Sequence, residues 1–130
     1  MRLGSLKEQI LVKVEIEAED KVRVSSLHES GIAAEPFVDS IALLACALAQ
    51  CTFGVLRTYG ERMDLDGHDM VFVVSWVLVP GPKRVGKMSM DVHWPSLPDS
   101  RLDAATRAAR HCPVHNTLTR EMDVDVFVDH

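Results

Sequence analysis

Paired cysteines, a basic cluster and a membrane-length apolar run are all missing from this 130-residue chain, and each absence removes a class of protein. Three cysteines are an odd number, whereas a secreted disulfide framework uses an even one. Residues 1–11 are too polar to hold the apolar segment of a signal peptide. A reducing cytoplasmic setting is therefore expected, in which thiols are reactive or simply buried. Lys and Arg total 14 against 19 Asp and Glu, and no stretch concentrates positive charge. A nucleic-acid partner is not expected, because phosphate contacts need a basic surface. Residues 41–56 are nearly all apolar, but they number 16, include Gln50 and end at Arg57. A spanning helix needs about 20 apolar residues, so a buried core helix is expected and no membrane. No repeat, low-complexity tract or linker divides the chain. One domain over residues 1–130 is the reading, large enough to bury roughly two-thirds of its unfolded surface without disulfide staples.

The patterns present are those of a mixed fold. Residues 8–18 alternate, with Ile10, Val12, Val14 and Ile16 on one side and Lys13, Glu15 and Glu17 on the other. That period of two predicts a half-buried strand. Residues 19–21 suit a turn, and Val22 and Val24 open a second strand. Residues 25–36 carry no period and read as loop, with room for a short strand near Gly31. Asp39 or Ser40 offers an N-cap, and the chain is then apolar on every face through Leu56, which places the helix in a core. At about 1.5 Å per residue such a helix crosses a small domain. Its end turns polar over residues 57–62, where Gly60 loosens it. Asp66 and Gly67 mark a turn. Residues 70–79 and 84–94 predict a strand pair broken by Pro80, Gly81 and Pro82. Asp99 or Ser100 caps a second helix, with Leu102, Ala105, Ala108 and Ala109 on one face. Pro113 suits the first turn of a third, residues 113–118. Residues 121–128 predict a closing strand, Met122, Val124, Val126 and Val128 facing inward. The mixture is α+β, with helices against antiparallel sheet.

Chemistry concentrates on thiols. Cys46 and Cys51 share the core helix at a separation of ~140° around its axis, which forbids a disulfide between them within an intact helix. Each could serve as a small buried hydrophobe. Cys112 differs, because it stands just before Pro113 at a helix start. Unsatisfied N–H groups and the positive end of the peptide dipoles favour a thiolate there. His111 and His115 flank it and either polarise the thiol or lie exposed. Cys112 could equally be only a structural cap. His111, Cys112 and His115 lack the paired spacing of a zinc site. The serines show no nucleophile elbow, and no glycine loop suits a phosphate.

Two segments resemble a known family. Residues 41–52, Ile-Ala-Leu-Leu-Ala-Cys-Ala-Leu-Ala-Gln-Cys-Thr, are similar to the central helix of the OsmC/Ohr family. Residues 108–118, Ala-Ala-Arg-His-Cys-Pro-Val-His-Asn-Thr-Leu, resemble its Cys-Pro-Val/Ile-x-x-Thr-Leu motif, the more specific of the two. The likeness extends over residues 38–128. It implies an OsmC-like α+β fold, with antiparallel sheets wrapped around long central helices in an intertwined homodimer. It implies Cys51 as the peroxidatic thiol, attacking the O–O bond of a small organic hydroperoxide to give a sulfenic acid. Cys112 then resolves it as a disulfide, which a small dithiol or a lipoylated protein reduces. No metal or organic cofactor is implied.

The pattern departs from the family at the activating charges. Typical members hold an early-strand Arg against the first thiol with a Glu near the start of the central helix. Here Ile41 and Ala42 stand ten and nine residues before Cys51. The nearest acids are Glu35 and Asp39, and the early arginines are Arg2 and Arg23. Arg57 substitutes only if it turns inward. Two alternatives follow: an OsmC-fold dimer that binds a small apolar ligand without redox chemistry, and a general dithiol–disulfide protein acting on other proteins.

Overall fold

A computed structural model describes residues 11–18, 21–27 and 40–130. The elements are β1 (Leu11–Ala18), β2 (Lys21–Leu27), α1 (Ser40–Arg62), β3 (Val71–Val79), β4 (Arg84–His93), α2 (Leu102–Ala109) and α3 (Pro113–Leu118). The four strands form one antiparallel sheet in the order β1-β2-β3-β4. The first strand's opening residues, the turn at 19–20, the possible strand near Gly31, and Arg2, Glu35 and Asp39 lie outside the described residues.

Helix α1 is apolar all round in composition, yet only one face of it is covered. Ala42, Ala45, Leu48, Ala49, Thr52, Phe53, Leu56 and Gly60 are buried, the i, i+3, i+4 stripe of a helix packed on one side. That side meets the sheet, where Phe53 and Phe72 stack edge to face at 6.0 Å and 87°. Helices α2 and α3 also pack on α1. The remaining stripe, through Leu43, Ala47, Gln50, Gly54 and Thr58, is exposed. Burial on every face was the expectation, and a single chain does not provide it.

The strand pair β3–β4 forms as expected. Gly81 takes a positive φ of 67° in the connecting turn, a conformation glycine adopts without steric cost. Arg84 ties the turn by donating to the carbonyls of Pro80 and Pro82 at 3.2 and 3.0 Å. Strand β2 runs on to Leu27, beyond the expected break after Val24, because Ser25, Ser26 and Leu27 pair with Lys13, Val12 and Leu11 of β1. Gly60 does not loosen α1. A Cβ there would meet the Leu65 carbonyl oxygen at 3.1 Å and the Trp94 ring at 3.2 Å, so glycine permits a close approach. Trp94 in turn donates its indole N–H to the Asp66 carbonyl at 2.9 Å. Ser96 bonds both that carbonyl and the Asp69 carboxylate. These contacts anchor the chain leaving β4 and so set where α2 and α3 lie.

Three expectations fail locally. Asp99 and Ser100 do not cap α2. They sit in a 3-10 turn, Asp99–Arg101, whose extended preceding residue is Pro98, and no side chain caps either start. Leu102 is 52% exposed, leaving Ala105, Ala108 and Ala109 to face the core. Residues 121–130 form no strand. Met122, Val124, Val126 and Val128 are 60–93% exposed. The pattern is a strand's, but strands form only with a neighbour, and the single chain offers these residues none.

Candidate functional site: a two-thiol pair

Cys112 is the N-cap of α3, with extended backbone (φ −72°, ψ 132°) and Pro113 beginning the helix. Proline needs no hydrogen bond at that position, so Cys112 itself caps the next donors. Its sulfur accepts the His115 N–H at 3.4 Å, and its carbonyl accepts the Asn116 N–H at 3.0 Å. The thiol is fully buried against α1. There it lies near Cys51, close enough for the two thiols and the Val114 N–H to act on one another electrostatically. The two cysteines, more than fifty residues apart in sequence, are thus one cluster. No cysteine is in a disulfide.

The two thiols are driven in opposite directions. Burial pushes Cys51 up, and the neighbouring Cys112 thiol adds to this; the Val114 N–H only partly offsets them. Burial also acts to raise Cys112, but it is outweighed by the nearby polar hydrogens of Cys51, the His115 N–H, the Thr52 hydroxyl and the Val114 N–H. Cys112 therefore titrates below the usual thiol range. The Thr52 contribution is the loosest: its hydroxyl is fully buried and forms no well-made hydrogen bond among the described residues. Cys46 is not part of the cluster. It packs against the hydrophobic core, and burial raises its thiol.

Cys51 is partly exposed and opens on a groove of about 450 Å³. Val55, Thr58 and Arg62 line the same groove, with Tyr59 beside them and His111 opposite. Positions 51, 55, 58 and 62 follow the i, i+4, i+7, i+11 line of one helix face. The groove is thus a furrow along α1 with a thiol at one end and a guanidinium at the other. The Tyr59 hydroxyl is buried without a hydrogen-bond partner among the described residues.

The activating charges considered from sequence fall elsewhere. Ile41 and Ala42 pack on the core, and no carboxylate occupies those positions. Arg57 does not line the groove; it pairs with Glu61 at 3.4 Å along the helix surface. Arg23 lies on β2 in register with Glu15 and Val73. The groove arginine is Arg62, which sequence reasoning passed over. Its spacing from Cys51 along one helix face was the available signal.

The sheet, the central helix and the helix-borne Cys-Pro segment together define an α+β protein with the OsmC/Ohr fold. Two of the solved structures that it resembles show this. One, assigned to the osmotic-stress-induced and detoxification response of Psychrobacter arcticus 273-4, is 20% identical, with a TM-score of 0.58 over 82% of this chain and 85% of that one. The other, an OsmC-like hydroperoxide resistance protein from Jannaschia sp. CCS1, is 18% identical, with a TM-score of 0.54 over 88% and 89%. The sequence matches no protein-family profile and no curated protein.

Proposed function

We propose that this protein is a thiol-dependent peroxidase that reduces small organic hydroperoxides. The observation that carries the reading is the contact between Cys51, which faces an accessible groove, and Cys112, which is fully buried. A peroxide can reach only the first. Cys51 sulfur takes the terminal peroxide oxygen, giving a sulfenic acid and releasing an alcohol. Cys112 then attacks that sulfur, expels hydroxide and closes a Cys51–Cys112 disulfide. A dithiol or lipoylated protein restores both thiols by exchange. The chemistry calls on no metal or organic cofactor. Val55 and the neighbouring Gly54 give the furrow an apolar wall that suits an alkyl chain better than hydrogen peroxide. The hydroperoxide resistance protein with this fold is consistent with that role.

The working form on this reading is a cytoplasmic homodimer. Leu43, Val77 and Leu78 are 45–55% exposed, and the alternating apolar residues after 121 lack a sheet. A second copy would cover the bare stripe of α1 and offer those residues a strand edge.

Cumene hydroperoxide with excess dithiothreitol tests the reading. The wild-type protein should turn over, Cys51→Ser should not, and Cys112→Ser should undergo one stoichiometric oxidation. Full turnover by Cys51→Ser would end the proposal. A second reading, an apolar-ligand carrier without redox chemistry, draws on another cavity of about 450 Å³ walled by Leu48, Leu56, Met88, Met90 and Trp94. It would be favoured by a Cys51 thiol inert to peroxide.

A further inference from the structure

A second cavity, sharing no lining residue with the Cys51 furrow, opens between β4 and α2. Its volume of about 450 Å³ falls among those of pockets that enclose a small ligand. Its walls are apolar: Leu48 and Leu56 from α1, Met88 and Met90 from β4, Ala105 from α2, and Trp94. Four polar residues also border it, and they do not count equally. Thr106 uses its hydroxyl within α2, donating to the Leu102 carbonyl at 2.9 Å. Asp91 stands between Met90 and Val92 on β4, where half-buried and exposed residues alternate. Successive strand side chains point to opposite faces, so Met90 and Val92 face the cavity and the Asp91 carboxylate points away from it. Arg110 ends α2 and pairs with no carboxylate among the described residues. His115 comes from α3, and its Nδ1 is buried without a hydrogen-bond partner among the described residues. Such an unmet polar atom is uncommon in a folded protein. The polar end of the cavity is therefore cationic, in a chain whose net charge is −5.

We propose that this cavity binds an amphipathic monocarboxylate, with its alkyl chain between α1, β4 and α2 and its carboxylate on Arg110 beside the His115 ring. Three features select that ligand. The walls offer nothing but apolar contact to a chain. A guanidinium matches a carboxylate through two parallel N–H···O bonds, and Arg110 is open to form them. A cationic head group would meet like charge at the same end. A second copy of the chain fits this place less well. The uncovered stripe of α1 runs through Leu43, Ala47 and Gly54, whereas Leu48 and Leu56 lie roughly 120–160° around the axis from it. The inference goes beyond the peroxidase reading and does not rest on it, because the furrow and the cavity are separate spaces.

Decanoate, added below its micelle-forming concentration to the full chain with methyl-labelled methionine, tests the proposal. The Met88 and Met90 methyl resonances should shift saturably, with those of Met63 and Met122 unmoved. Arg110→Gln, an exposed position, should weaken decanoate binding at least about tenfold, as loss of a hydrogen-bonded charge does. Decanol, which keeps the chain and lacks the charge, should bind the parent more weakly than decanoate by a similar factor. It should bind Arg110→Gln as it binds the parent. Decanol bound as tightly as decanoate would overturn the proposal, as would a decanoate affinity indifferent to Arg110→Gln or no shift at all. A shift at Met63, which follows Arg62, would put the anion in the Cys51 furrow instead. A shift at Met122 would mean that the residues after 121 occupy the cavity and are displaced from it. Either result would overturn the assignment. Cys51→Ser should bind decanoate as the parent does, so failure of the peroxidase reading would leave this result standing.

Discussion

Cys51 and Cys112 show how much a thiol's surroundings decide its use. One is accessible and held protonated; the other is buried and favoured as a thiolate. In a thiolate absorbance titration, the first step should come at lower pH than that of an ordinary thiol and vanish in Cys112→Ser. The sign follows from the depressed value: the charged form appears earlier as pH rises. A first step no lower than an ordinary thiol's, or one that survives in Cys112→Ser, would contradict the site electrostatics. Thr52 offers a second check. A buried hydroxyl without a good partner costs about 1–3 kcal/mol. Thr52→Val should therefore match or exceed the wild type in urea unfolding while reacting more slowly at neutral pH. A large loss of stability would mean that the hydroxyl is well bonded and has a structural role.

At the scale of elements, most of the architecture was legible because it rests on local periodicity. The alternation in β1, the long apolar run of α1 and the Pro-Gly break between β3 and β4 each point to one structure. The Cys-Pro segment announced the N-cap of α3 in the same way. What local pattern could not show was which side of α1 would be covered, since its composition is apolar all round. The shared helix face of Cys51 and Arg62 was legible in their spacing, but not that Ala108 and His111 border that face to form a groove. Gly60 was misjudged for a related reason: its neighbours Leu65 and Trp94 come from later elements. That contact sets two effects against each other. Alanine gains about 1 kcal/mol over glycine in a helix, whereas crowding a backbone oxygen and an indole costs about 1–3 kcal/mol. Gly60→Ala should lower the urea midpoint; a raised midpoint would mean that Trp94 yields easily. Phe53→Ala, which removes the ring seated on Phe72, should cost about 3–5 kcal/mol in the same assay.

Among the described residues, apolar surface is left uncovered along the outer stripe of α1 and over the residues after 121. If a second copy covers both, the protein should sediment as a dimer. Ala47→Glu, at an exposed position, should then yield a folded monomer, and removing residues 121–130 should weaken association. A wild-type protein that sediments as a monomer would contradict the proposed assembly. The central claim is narrower than the assembly: two sulfurs far apart in sequence form one redox unit while the third stays out of it. Peptide mapping after one equivalent of cumene hydroperoxide tests this directly. The account predicts a single disulfide joining the Cys51 and Cys112 peptides, with Cys46 still open to alkylation. A disulfide through Cys46, or three alkylatable thiols beside unconsumed peroxide, would contradict it.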